Sequence, residues 1–377
     1  METRRAAALL TGWILLLPSV CAAEHWTIAD LTVFEVLGDP EALGVGSPAA
    51  LRGTGARAAT GNPAGLLETV RNETVVDLSG GPGEPWLTSV TPDIRMEGGH
   101  GIPQAIAYAH SFGRYAVGLG FERTYRGQFK IGGPFPEDLR YRMEAYQLAG
   151  AWKASDDVYL GLGVRLVQGT GSEAYIDVPF SRGPIKNSRV GFGASLGARA
   201  FLHRLRLAFL AEGGTNLKSE VSVPSYTGAF PETLFAHQPL FASLGAEFEL
   251  HPLIQLLVEE TYFDRNHYGS GYTFRDTTGQ VILWNPFRST FEGSIGVEIK
   301  PQSTSPLRVR GGLLLRMSPW KRRAVLDYNQ AFLTLGVGLK TRRIRVDLAV
   351  ASSDPLEDAK ENEIEQTHWS GGAAFSF

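Results

Sequence analysis

From about residue 100 to residue 377, apolar side chains recur at every second position in stretches of about ten residues. Val158, Leu160, Leu162, Val164 and Leu166 alternate with Tyr159, Gly161, Gly163 and Arg165. Leu205, Leu207, Phe209 and Ala211 alternate with Arg206, Ala208, Leu210 and Glu212, and Ile344, Val346, Leu348 and Val350 with Arg345, Asp347 and Ala349. In an extended chain this period sends neighbours to opposite faces, so each stretch reads as a strand with one greasy and one mixed face.

Fourteen such runs can be marked. They fall at Thr74 to Gly80, Gln104 to Phe112, Arg114 to Thr124, Met143 to Lys153, Asp157 to Gln168, Arg189 to Leu202 and Arg204 to Gly213. The rest are Gln238 to Leu250, Pro252 to Tyr262, Arg288 to Ile299, Leu307 to Met317, Ala331 to Lys340, Arg342 to Ala351 and His368 to Phe377. Most have the length that lets a tilted strand cross a bilayer. Short links such as Gly113, His203, His251 and Thr341 alternate with long ones such as Gly169 to Ser188, Gly214 to His237 and Phe263 to Phe287. Tight turns at one end and long loops at the other are the habit of transmembrane barrels. Because an unpaired strand edge in hydrocarbon leaves amide groups without partners, the sheet must close. The expected fold is therefore all-β, an antiparallel barrel of about fourteen strands over residues 74–377. Such a lumen is wider than the eight-strand case that side chains alone can fill, so something else fills it or it conducts.

Composition agrees with a folded, secreted body. The 377 residues carry a net charge of -3, 43% hydrophobic residues, 44 glycines and one cysteine, which excludes a disordered chain and a disulfide-built domain. Residues 1–23 read as a signal peptide, with Arg4 and Arg5, an apolar run from Ala6 to Leu17 and a small-residue exit at Ala22 and Ala23. Cleavage there would remove Cys21; the rival reading makes Cys21 a lipidated terminus. The chain would then be an outer-membrane protein, with lipid around its wall and neither cofactor, metal nor nucleic acid among its partners.

Residues 24–73 precede the first strand and show little alternation; Pro40-Glu41-Ala42-Leu43 and Pro63-Ala64-Gly65-Leu66-Leu67 read as short helical turns opened by proline. Asn62 can cap the second turn and Gly65 permits close packing beside it. A segment this small could fold back into the lumen against inward glycines such as Gly118, Gly120, Gly161, Gly163, Gly191 and Gly193. The string Asn62-Pro63-Ala64-Gly65-Leu66 resembles the motif that precedes the barrel in the FadL-type long-chain fatty-acid transporter superfamily, and Leu43-Gly44-Val45-Gly46 with Ala49-Ala50-Leu51-Arg52-Gly53 resembles the glycine-rich stretch upstream of it. Ser47-Pro48 departs from the pattern. The resemblance implies a fourteen-strand barrel with an N-terminal hatch and uptake of hydrophobic small molecules such as long-chain fatty acids.

Other candidate sites are few. Arg308, Arg310 and Arg316 share a strand face and could receive an anionic headgroup, or simply pair with inward carboxylates such as Glu292, Glu298 and Asp347. Tyr268, Tyr272, Phe274 and Trp284 could form an apolar groove in the long loops. Phe375 and Phe377 end the last strand in the manner that the barrel assembly machinery recognises. Gly193-Ala194-Ser195-Leu196-Gly197 fits a nucleophile elbow but lies mid-strand, and Glu97 with His100 or Asp264 with His267 lacks a second cluster, so no enzyme is expected. The alternative to a channel is a surface barrel whose loops bind or shuttle partner proteins.

Overall fold

The computed structural model describes residues 39–51, 53–69, 71–80, 94–97, 102–131, 137–175, 185–213, 215–223, 230–238, 240–264, 273–275, 281–283, 288–317, 329–353 and 367–377. The leader expected at 1–23 and the start of the hatch lie outside these residues, as do Tyr268, Tyr272 and Trp284.

Fourteen antiparallel strands close on themselves. In chain order they are β1 Asn72–Gly80, β2 Ile102–Phe112, β3 Tyr115–Ile131, β4 Glu137–Lys153, β5 Val158–Tyr175, β6 Ile185–Leu202 and β7 Leu205–Glu212. There follow β8 Leu240–His251, β9 Ile254–Asp264, β10 Thr290–Ile299, β11 Leu307–Arg316, β12 Gln330–Lys340, β13 Ile344–Ser352 and β14 Thr367–Ser376. Each pairs with its chain neighbours, and β1 meets β14 from Glu73 opposite Ser376 to Gly80 opposite Trp369. No barrel edge is left open, as hydrocarbon requires.

Every alternating run overlaps one of these strands. The ends differ on the loop side: β3 and β4 stay paired out to Ile131 and Glu137, and β5 and β6 to Glu173 and Ile185, well past the expected Thr124, Met143, Gln168 and Arg189. In these extensions the backbone ladder continues beyond the stretch where the sequence alternates. A bulge between Arg123 and Tyr125 shifts the β3–β4 register inside this stretch, and another lies between Asp77 and Leu78 against β2. The expected loop from Gly214 to His237 holds a hairpin of its own, Thr215–Val223 with Phe230–Gln238.

At the other end the turns are tight. Phe112 pairs with Tyr115 and Leu202 with Leu205, so Gly113-Arg114 and His203-Arg204 are complete two-residue links, with Gly113 at φ 75. Both ends of the barrel chain sit here, and the Phe377 amide donates to the Asn72 carbonyl over 3.0 Å. Aromatic side chains ring this rim on the outside, among them Phe112, Tyr115, Trp152, Phe375 and Phe377, the position of an interfacial girdle.

Orientation follows the alternation. Leu162 is 66% exposed while Arg165 on the opposite face is 4% exposed. Around the whole cylinder the exposed side chains include Leu119, Leu148, Leu196, Leu244, Ile295, Leu335 and Leu348. A continuous apolar outer surface of this extent is a lipid-facing belt.

The lumen is occupied. Helix α1 (Pro40–Leu43) and two 3-10 turns, Gly55–Ala59 and Pro63–Glu68, lie inside the wall. Leu43 packs with Leu314, Phe332, Ala349 and Ala351; Val45, Ala50 and Leu51 with Ala208, Leu210 and Leu257; Leu66 and Ala59 with Ala107, Ala109, Ala116 and Ala149. The wall supplies mostly alanine where the segment supplies leucine, which leaves room for the segment's backbone.

Leu162→Arg, near the middle of the belt, should destabilise the barrel by about 2–4 kcal/mol, whereas Leu202→Arg beside a turn should cost about 0–1 kcal/mol. Chemical unfolding in lipid vesicles measures both, and equal costs would contradict the placement of the belt.

Candidate functional site: the plugged lumen

The plug is positioned by side chains that meet backbone. Asn62 is fully buried, and its Oδ1 accepts from the Ala64 amide over 3.1 Å, capping the turn that Pro63 opens. Its Nδ2 donates to the Ala50 carbonyl (2.9 Å) and to the Phe209 carbonyl of β7 (3.1 Å). One side chain thus shapes the turn, ties two parts of the plug together and docks them on the wall. The wall beneath is bare: a Cβ on Gly161 would sit 2.4 Å from the Ala64 nitrogen, and one on Gly197 would sit 2.0 Å from Asn62 Oδ1. Gly65 plays the same part within the plug, where a Cβ would stand 2.6 Å from the Gly53 carbonyl oxygen. Gly163 instead faces Ser195 and Gln147 of the wall.

A second anchor had no sequence signal. Glu259, on the inner face of β9, accepts from three consecutive plug amides, Ala49 (2.5 Å), Ala50 (2.9 Å) and Leu51 (3.0 Å), and from Ser243 Oγ. Successive backbone N–H groups form a concave anion receptor, and here the wall's carboxylate fills it. Arg199 gives the complementary arrangement, donating to the Ala50 carbonyl over 3.2 Å and pairing with Glu68 at the end of the plug.

The largest set of contacts is ionic. Arg57 of the plug forks onto Asp77 of β1, with Nε 2.9 Å from Oδ2 and Nη2 2.8 Å from Oδ1, while Nη1 lies 2.9 Å from Asp347 of β13. Asp347 also receives Arg310 Nη1 at 2.8 Å, and Arg310 Nε lies 2.8 Å from Glu298. Arg345 reaches Glu41 (3.0 Å) and Thr54 Oγ1 (2.9 Å), both in the plug. Charges buried this deeply persist only when paired and hydrogen-bonded, so the pairs of Arg57 and Arg345, which span plug and wall, fix where the plug can sit.

The three arginines of β11 do not converge. Arg310 and Arg308 share Glu298, with Arg308 at 3.6 Å, whereas Arg316 stands six positions further along and pairs with Glu292 at 2.9 Å. At about 3.3 Å per residue that separates them by roughly 20 Å. Ser195 of the elbow-like string lies in β6 and accepts from Gln147 Nε2 over 3.1 Å. Phe375 and Phe377 point outward at the turn rim. Of the proposed loop groove only Phe274 falls in a described strand, Thr273–Arg275; its side chain lies outside the described residues, as does His100.

On the outer wall an apolar hollow of about 610 Å³ spans β1 to β6, its lining including Ile106, Tyr108, Leu119, Phe121, Tyr146 and Phe192. It lies beside the bulged strand β3.

No family model matches the sequence, and no curated protein matches it. Solved structures do share its fold. The toluene transporter TbuX of Ralstonia pickettii superposes with a TM-score of 0.68 at 16% identity, over 92% of this chain and 99% of that one. A FadL homologue of Pseudomonas aeruginosa gives 0.66 at 15% identity, over 91% and 99%. The monoaromatic hydrocarbon channel CymD gives 0.63 at 15% identity, over 91% and 99%. The chain therefore has the fold of these proteins, a fourteen-strand barrel with a short-helical N-terminal segment.

Two measurements test the plug's attachment. Asn62→Asp keeps the cap acceptor but turns an oxygen towards two carbonyls, and should weaken docking by about 1–3 kcal/mol, seen as faster proteolysis within 39–69 while the barrel stays protected. Glu68 behaves differently with pH. Burial pushes its carboxyl up, but Arg199 and Arg206 outweigh burial and hold it below its ordinary 4.5. Its contribution is thus complete above 4.5 and is lost as pH falls through the lower folded value. Protease sensitivity of the plug should therefore rise in acid, and Glu68→Gln should flatten that rise. Asp39, which burial pushes up, shifts the opposite way, so the flattening isolates Glu68.

Proposed function

We propose that this chain is a non-enzymatic outer-membrane channel that admits hydrophobic small molecules by diffusion, with the N-terminal segment as its hatch. The observation that carries the reading is the plug itself. A lumen of fourteen strands is filled by a segment that is no part of the wall and that docks through a limited set of polar contacts at Asn62, Glu259, Arg57 and Arg345. A filler meant to be permanent could be apolar throughout. Contacts that a modest rearrangement can exchange for water suit a part that moves.

The solute is apolar in this proposal. TbuX and CymD, which share the fold, are described as carriers of toluene and of monoaromatic hydrocarbons, and a FadL homologue shares it too. Long-chain fatty acids and small aromatic hydrocarbons are the two classes to compare. The hollow over β1 to β6 adds support, since its rim of Tyr108, Phe121, Tyr146 and Phe192 gives an apolar solute a place on the lipid side of the wall. Lipid at the belt and the barrel assembly machinery at Phe375 and Phe377 are the other partners of this reading.

Planar-bilayer recording decides the role of the hatch. The intact protein should hold closed, while a chain lacking residues 24–69 should conduct ions; equal conductance would reject the hatch. Uptake of radiolabelled toluene and oleate into vesicles then separates the solute classes, and no acceleration of either would reject the transport reading.

A further inference from the structure

Below the hatch, at the turn end of the barrel, a second cavity of about 800 Å³ opens between the start of β1, the β12–β13 turn and the end of β14. Thr54 and Gly55 of the hatch border it. Five cations line it: Arg345, which is buried and paired with Glu41, and the exposed Arg71, Lys340, Arg342 and Arg343. Two side-chain carboxylates line it as well, and both are engaged: Glu68 by Arg199, and Glu73 by the Ala56 amide (3.0 Å) and Arg345. The four exposed cations make no ion pair among the described residues. The cavity therefore carries positive charge that its own wall does not neutralise.

The backbone fixes where that charge stands. The Ser376 amide donates to the Arg343 carbonyl over 2.8 Å on one side of β14, and Phe377 pairs with Asn72, the residue after Arg71, on the other. Arg343 and Arg71 thus flank the last strand about 10 Å apart, two strand spacings. The same cavity meets Ile344 and Phe377, whose side chains face outward into the lipid at the rim. Cationic and apolar groups side by side, at the level of lipid headgroups, match both halves of one kind of molecule.

We propose that this cavity binds an anionic amphiphile. Its carboxylate or phosphate head lies between Arg71 and Arg343, with Lys340 and Arg342 at the opening, and its hydrocarbon tail follows Ile344 and Phe377 into the periplasmic leaflet. Guanidinium groups suit either head because each presents a planar fork of donors to two oxygens. The shared chemistry has two sources, an acid delivered through the barrel or a resident phospholipid. The four exposed cations all stand at the turn end of the barrel, outside residues 39–69, so their charge stays there whether or not the hatch opens.

The experiment uses the intact protein in uncharged detergent, with radiolabelled palmitate and phosphatidylglycerol as probes and hexadecanol and phosphatidylcholine as uncharged or zwitterionic counterparts. Palmitate, phosphatidylglycerol or both should bind more tightly than their counterparts. The double variant Arg71→Gln/Arg343→Gln should weaken that binding about tenfold or more. Arg114→Gln, an exposed cation on another turn, should leave it unchanged. Palmitate binding alone assigns the site to a delivered acid, and phosphatidylglycerol binding alone to a resident lipid. Binding no better than the counterparts, or equal loss in the Arg114 variant, overturns the proposal. Conductance and uptake are separate readouts, so their failure would leave this result standing.

Discussion

Hydrocarbon offers no partner to a backbone amide, and the architecture follows from that. A strand crossing a bilayer must be paired on both sides, so the sheet must close, and the seam between β1 and β14 is where it does. Closure with fourteen strands creates an interior that alanine and glycine cannot fill. The plug answers that problem, and its grip on the wall is as much a part of the fold as the ladder of strands.

That grip is mostly polar, and its parts differ in kind. Asn62 and Glu259 bind main chain, so they specify a conformation of the plug, while Arg57 and Arg345 pair with carboxylates across the plug–wall boundary, so they specify its position. Buried ion pairs add little net stability over apolar packing, yet losing one partner costs about 3–5 kcal/mol. A plug held this way is weakly favoured as a whole and strongly disfavoured in any wrong position.

The strands were legible because lipid on one face and a polar lumen on the other impose alternation, and all fourteen runs overlap strands. Their upper ends were not, because β3 to β6 stay paired by backbone beyond the residues that alternate in sequence. In the plug, Asn62-Pro63 could be read as cap and first turn, since that bond is local. Glu259 could not: it sits among Val258, Glu260 and Thr261 as one more alternating residue, and its partners are over two hundred positions away. Likewise the arginines of β11 share a face in sequence, but only the register with β10 shows Glu298 facing Arg310 and Glu292 facing Arg316.

Arg57 touches Asp77 near the beginning of the barrel chain and Asp347 near its end. Those residues lie on β1 and β13, the strands that flank β14 at the seam. The guanidinium can complete its contacts only when first and last strands have come together in the correct register. The plug is therefore also a staple across the joint, and a change that loosens Arg57 also weakens the place where the two ends of the barrel chain meet.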